Sequence, residues 1–133
     1  MRVEHIGVEV TKPFEMAKWY TENLGFKVIY SSEGEAKSNP MVFISDGTGE
    51  TVFEFFRDPA IRPLCDELSD IAQLHIAVMS DDPDADRDRL AAAGAQYVGK
   101  LPTPREGEIL ISMKDPFGNM IQLVRRGSVK VRK

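Results

Sequence analysis

Cysteine is nearly absent. Cys65 is the only one in 133 residues, so the chain holds no internal disulfide. That fits a reducing compartment, and the expected location is cytoplasmic. Cys65 stands in RPLCDEL with no histidine beside it, and it reads as an inert thiol, not a nucleophile. Long apolar runs are missing too: none approaches the ~18 residues needed to cross a bilayer, so no membrane partner is expected. The opening MRVEHIGVEV alternates like a strand and lacks the charged and then apolar order of a signal peptide. There is no basic excess. Seventeen Lys and Arg stand against 21 Asp and Glu, a net charge of −4, whereas a nucleic-acid binder usually presents a basic face. Histidine is also rare, with His5 and His75 the only two.

What remains is an ordinary globular composition, 42% apolar and 29% charged. A chain of this size makes one domain, here residues 1–133, and buries roughly two-thirds of the surface it exposes when unfolded.

Along the chain, residues 2–10 alternate as a strand. Pro13 then suits the first turn of a helix running to about residue 23, with Phe14, Ala17, Tyr20 and Leu24 at core-facing spacing and Gly25 as its stop. Residues 26–30 read as a strand and 31–40 as a polar loop. Residues 41–45 and 51–56 read as a hairpin across the turn at 46–50. A connector with Pro59 and Pro63 and a short helix near 64–68 follows, and then the order restarts. Residues 74–79 read as a strand and 83–93 as a helix stopped by Gly94. Residues 96–98 read as a short strand, 99–107 as a loop, and 108–113 and 120–124 as two further strands.

The two series match by position. His5 and His75 are 70 apart, Gly25 and Gly94 are 69 apart, Asp46 and Asp115 are 69 apart, and Glu54 and Gln122 are 68 apart. An internal repeat of this kind is a stronger signal than any single residue in it. The expected division is a first module over about 1–57, a connector over 58–72, a second module over about 73–126 and a basic tail over 127–133. The fold class is α+β, two βαβββ modules forming an open, cupped mixed sheet.

Side chains alternate between the faces of a strand, so the apolar sets Ile6/Val8/Val10, Phe53/Phe55, Leu74/Ile76/Val78 and Ile121/Leu123 define a core face. In each case one polar residue has the opposite parity: His5, Glu54, His75 and Gln122. Val3, Val52, Phe56, Ala77, Met79, Met120 and Val124 share their face. Two imidazoles, a carboxylate and an amide oxygen form a mixed nitrogen and oxygen set suited to divalent Zn, Ni, Mn, Co or Fe. Arg57, Lys100 and Arg105 are weaker candidates for meeting a substrate carboxylate. Trp19 and Tyr20 read as packing residues.

The segments HIGVEV, WYTENLGF, VFEFF, LHIAV and DPFGNMIQLV together resemble the vicinal oxygen chelate superfamily. It includes glyoxalase I, bleomycin-resistance proteins, fosfomycin-resistance enzymes and ring-cleaving dioxygenases. The resemblance implies paired βαβββ modules around a metal, with ligands on the first and last strands of each module, here His5, Glu54, His75 and Gln122. It also implies a homodimer and a small-molecule substrate. Glyoxalase-type relatives carry a glutamate where Gln122 stands, and an amide cannot act as a base near neutral pH. Glu54, at the mirrored position, is therefore the expected ligand and catalytic base of a metal-dependent lyase or isomerase. The alternatives are a metal-free antibiotic-binding protein resembling bleomycin-resistance proteins, and an Fe(II) dioxygenase using His5, His75 and Glu54. No substrate-binding residue is assigned by the sequence.

Overall fold

The computed structural model of the chain describes residues 1–36 and 39–127. Lys37 and Ser38 of the polar loop, and the basic tail beyond Gly127, lie outside the described residues. The chain divides into two compact units, Met1–Leu68 and Ser69–Lys133.

In unit 1 the order is β1 (Ile6–Glu9), α1 (Pro13–Leu24), β2 (Lys27–Ser31), β3 (Met41–Ser45), β4 (Val52–Phe56) and a short α2 (Leu64–Glu67). The sheet runs β1-β4-β3-β2, with β1 parallel to β4 and the other pairs antiparallel. Unit 2 opens on a 3₁₀ turn (Ile71–Gln73) and continues with β5 (His75–Met79), α3 (Pro83–Ala92), β6 (Gln96–Leu101), β7 (Ile109–Lys114) and β8 (Met120–Arg125). Its sheet runs β5-β8-β7-β6 with the same senses. Each unit is thus a βαβββ module on an open mixed sheet, the expected fold class.

Local chemistry explains the punctuation. Pro13 and Pro83 open the two long helices, where a missing N–H costs nothing. Gly25 (φ 70°) ends α1 in the left-handed region and donates its N–H to the Tyr20 carbonyl. Asp46 and Asp115 close the two hairpins alike: each carboxylate accepts backbone N–H groups across its own turn, from Gly49 and from Phe117 and Asn119 respectively.

The helices cover only part of each sheet. α1 packs on β2, β3 and β4, and α3 on β6, β7 and β8. Core side chains follow that footprint. Tyr20 meets Phe26 and Phe55 edge-on in unit 1, while unit 2 buries Leu90, Ile111, Met113, Ile121 and Leu123. Strands β1 and β5 make at most slight contact with either helix. Ile6 and Leu74, expected in the core, are accordingly exposed by 44% and 46%.

Two further expectations need correction. Residues 13, 16, 17 and 20 form the buried stripe of α1, with Trp19 beside it, while Phe14 and Leu24 are only half-buried. The stripe starts at Pro13 because that residue is itself buried. Strand β6 runs on to Leu101 instead of stopping at 98, because a register shift between Tyr97 and Gly99 lets pairing with β7 resume. The same shift occurs between Val28 and Tyr30 in β2. Both irregularities sit on edge strands, where a bulge blunts pairing with another chain.

Candidate functional site

Strand register sets the rows that cross each sheet. In unit 1, Gly7 of β1 stands beside Glu54 of β4, Glu54 beside Phe43 of β3, and Phe43 beside Tyr30 of β2. The corresponding row in unit 2 is Ala77, Gln122, Ser112 and Gly99. His5 lies two residues before Gly7, and His75 two before Ala77, so each histidine shares its face with the oxygen-bearing residue of the neighbouring strand. β4 and β8 are both interior strands. Glu54 is therefore not an exposed glutamate on a sheet edge.

In unit 1 the pair is in contact. His5 Nε2 lies 3.3 Å from Glu54 Oε2, with the two side chains 34% and 22% exposed. The other ring nitrogen, Nδ1, donates to the Glu4 carboxylate, and the ring meets Phe43 edge-on at 5.3 Å. The hydrogen bond to Glu4 is the main reason that the His5 pKa is raised above 6.5. Desolvation opposes it, and the charges of Glu4 and Glu54 add to it.

Unit 2 holds its histidine differently. His75 Nδ1 is 3.1 Å from the Ala72 carbonyl oxygen. A carbonyl only accepts, so Nδ1 carries the hydrogen, and in the neutral ring Nε2 keeps its lone pair. The acceptor is itself fixed: Asp70 Oδ1 takes the Ala72 N–H at 2.8 Å, and Gln73 Oε1 takes the Asp70 N–H at 3.2 Å, a capping box on the 3₁₀ turn. Gln122 is 9% exposed, and its amide has no hydrogen-bond partner among the described residues.

Within each unit the donors are of the kind that hold a divalent cation. Two donors bound about 2.1 Å from one ion at roughly right angles lie about 3 Å apart, close to the His5–Glu54 separation. A backbone carbonyl or carboxylate on the second ring nitrogen is the usual support of a ligating histidine, and both histidines have one. Gln122 offers a buried amide oxygen that no donor among the described residues claims. Each unit brings one histidine and one oxygen donor; among the described residues no three His, Cys, Asp or Glu side chains form a single group.

The other sequence candidates are engaged elsewhere. Arg57 Nη1 meets Glu9 Oε1 at 2.5 Å and the carbonyls of Asp58 and Ile61; Lys100 faces Asp84 at 3.5 Å and Arg105 faces Glu108 at 3.2 Å. Trp19 and Tyr20 are buried, as expected of packing residues. Cys65 is half-buried, its sulfur 3.8 Å from the Asp66 carboxylate. Phe43, Tyr30 and Ser112 escaped the sequence reading, although counting outward from each hairpin turn pairs 43 with 54 and 112 with 122.

The family model for the Glyoxalase/Bleomycin resistance protein/Dioxygenase superfamily matches residues 2–123. The chain belongs to this superfamily. Solved structures of the same fold include a glyoxalase family protein from Bacillus cereus, with TM-score 0.73, 19% identity and 93% of each chain covered. The fosfomycin resistance protein FosX from Listeria monocytogenes has TM-score 0.70 and 17% identity, with 96% of this chain and 95% of that chain covered. TnmS3, an antibiotic binding protein from Streptomyces sp. CB03234, has TM-score 0.63 and 23% identity, with 92% of this chain and 96% of that chain covered. No curated protein sequence matches the chain. Among the described residues, no helix is long and apolar enough to cross a membrane.

Proposed function

We propose that this superfamily member is a metal-dependent, glyoxalase-like lyase or isomerase acting on a small oxygenated metabolite. His5 and Glu54 supply one half of a cation's ligand set, and His75 and Gln122 the other. The observation that carries the reading is His75: its Nδ1–H is spent on the Ala72 carbonyl, so its free nitrogen is the one a cation takes. The same pairing of histidine and oxygen donor recurs in the other unit at the equivalent register.

A divalent ion of the Zn, Ni, Mn, Co or Fe series, when bound, would polarise two adjacent substrate oxygens and stabilise charge that develops on them. The chain's own residues do the rest. Glu54 takes a proton from substrate carbon and returns it, since Gln122 cannot. Gln122 contributes a neutral oxygen and leaves the net charge of the site unchanged. Phe43 packs against the His5 ring and keeps water from one side of it. Glu4 and Ala72 hold the two rings in orientation. The active form is a homodimer, which sedimentation at micromolar concentration tests.

A second reading is metal-free binding of a small molecule. The His5–Glu54 pair supports it, because a protonated His5 satisfies Glu54 as an ion pair without a cation, and TnmS3, described as antibiotic binding, shares the fold. Metal content separates the two readings. Dioxygen uptake on iron loading is the mark of the dioxygenase alternative.

A further inference from the structure

The site face of unit 2 carries more than its two ligand candidates. Ser112 stands beside Gln122 in register, is only 4% exposed, and its hydroxyl has no hydrogen-bond partner among the described residues. Among the described residues no fully sealed polar side-chain atom lacks a partner, so the hydroxyl of Ser112 and the amide of Gln122 are not fully sealed. Two residues further along β7, on the same face, lies Lys114. Arg87, Arg89, Lys100, Arg105 and Arg126 of this unit each face a carboxylate, and Arg125 has the Gly107 carbonyl. Among the described residues Lys114 faces neither.

Gly99 completes the row. It is not among the glycines with positive φ, so its backbone does not require glycine. A Cβ built there meets nothing within 4 Å. What glycine supplies at this point is space on the floor beside Ser112. The equivalent positions in unit 1 are filled with rings, Phe43 for Ser112 and Tyr30 for Gly99.

We propose that Ser112 and Lys114 bind an acidic oxygen group of the substrate in the space that Gly99 leaves open. The proposal rests on the metal-site reading for where the rest of the substrate sits, and it narrows the substrate to a small oxyacid. The hydroxyl donates to one carboxylate oxygen and the ammonium compensates the charge. A hydrogen bond to a charged group is worth about a tenfold or larger change in affinity when one partner is removed.

The test compares malate with lactate on the full-length, metal-loaded chain by titration calorimetry, with metal content measured in every sample. Both acids offer a hydroxyl next to a carboxylate for the cation, and only malate has a second carboxylate. Malate is expected to bind at least about tenfold more tightly than lactate. Ser112→Ala and Lys114→Gln should each remove most of that preference with metal content unchanged. Gly99→Leu, which the open backbone tolerates, should weaken malate and spare lactate. Equal affinity for the two acids in the wild type, or a preference that survives both Ser112→Ala and Lys114→Gln, overturns the proposal. A wild-type chain without metal overturns the reading of the site instead. Succinate against propionate, neither of which needs a cation, then makes the same comparison on the metal-free chain.

Discussion

One row crosses unit 1 as Gly7, Glu54, Phe43 and Tyr30, and its counterpart crosses unit 2 as Ala77, Gln122, Ser112 and Gly99. The backbones repeat, down to the edge-strand bulges, but the chemistry does not. Unit 1 offers a carboxylate walled by aromatic rings. Unit 2 offers an amide, a hydroxyl and open floor. A repeated frame fixes where functional groups stand, and each half is then free to carry different chemistry; as proposed above, unit 1 moves a proton and unit 2 holds a substrate.

The same contrast extends to the end of each sheet. In unit 1 the buried Glu9 carboxylate of β1 takes Arg57 and the Asp58 N–H. In unit 2 the equivalent strand position is Met79, 73% exposed. The carboxylate there is instead Glu108, just before β7, gathered by Thr103, Arg105 and Arg126. The helices differ too: Asp82 caps α3 by accepting from the Ala85 N–H at 3.1 Å, while Lys12 at the head of α1 makes no side-chain cap.

Making the halves alike should break function first. Glu54→Gln, which gives both units an amide, is expected to lower turnover roughly 10²–10⁴-fold with metal retained. Turnover that survives Glu54→Gln and is lost in Gln122→Ala would show that Glu54 is not the base. Glu9→Ala leaves Arg57 and the Asp58 N–H without their acceptor and should cost about 3 kcal/mol in urea unfolding. That is the low end for a broken buried pair, because Arg57 stays 31% exposed. Met79→Ala at the equivalent position should stay within about 0.5 kcal/mol.

Acid sharpens the contrast next. Hydrogen bonds from Thr103 and Arg126, and then Arg105, hold the Glu108 pKa down at about 2, against 4.5 for the free group. A depressed folded-state value means a contribution fully present above pH 4.5 and lost as pH falls from there toward about 2. A Glu108→Gln chain should lack that component of the acid dependence, read as unfolding midpoints across the window. The smallest effect is at the caps. Asp82→Ala should destabilise by about 1 kcal/mol, and Lys12→Ala should leave stability unchanged within error.

Much of this was legible in the sequence because it depends on period and punctuation. Spacing of 68–70 residues between equivalent positions gave the repeat, and strand parity placed His5, Glu54, His75 and Gln122 on one kind of face. Less visible was everything that depends on which strands the helices cover. Ile6 and Leu74 look like core residues by alternation, yet Ile6 opens β1 and Leu74 just precedes β5, the two strands with least helix cover. Ser112 and Phe43 become neighbours of Gln122 and Glu54 only through hairpin register. The Glu9–Arg57 pair joins residues 48 apart, and no local pattern announces it. The support of His75 by Ala72 required the 3₁₀ turn, whose capping box, Asp70 with Gln73, is readable in sequence only once the turn is known.

The most direct test of the account is elemental analysis of the purified, unchelated chain, wild type beside His75→Ala and His5→Ala. The account predicts a stoichiometric divalent metal in the wild type that is lost in both variants while each remains folded by circular dichroism. Full metal content in both variants, or a wild type that neither carries metal nor is stabilised by adding any, would contradict it.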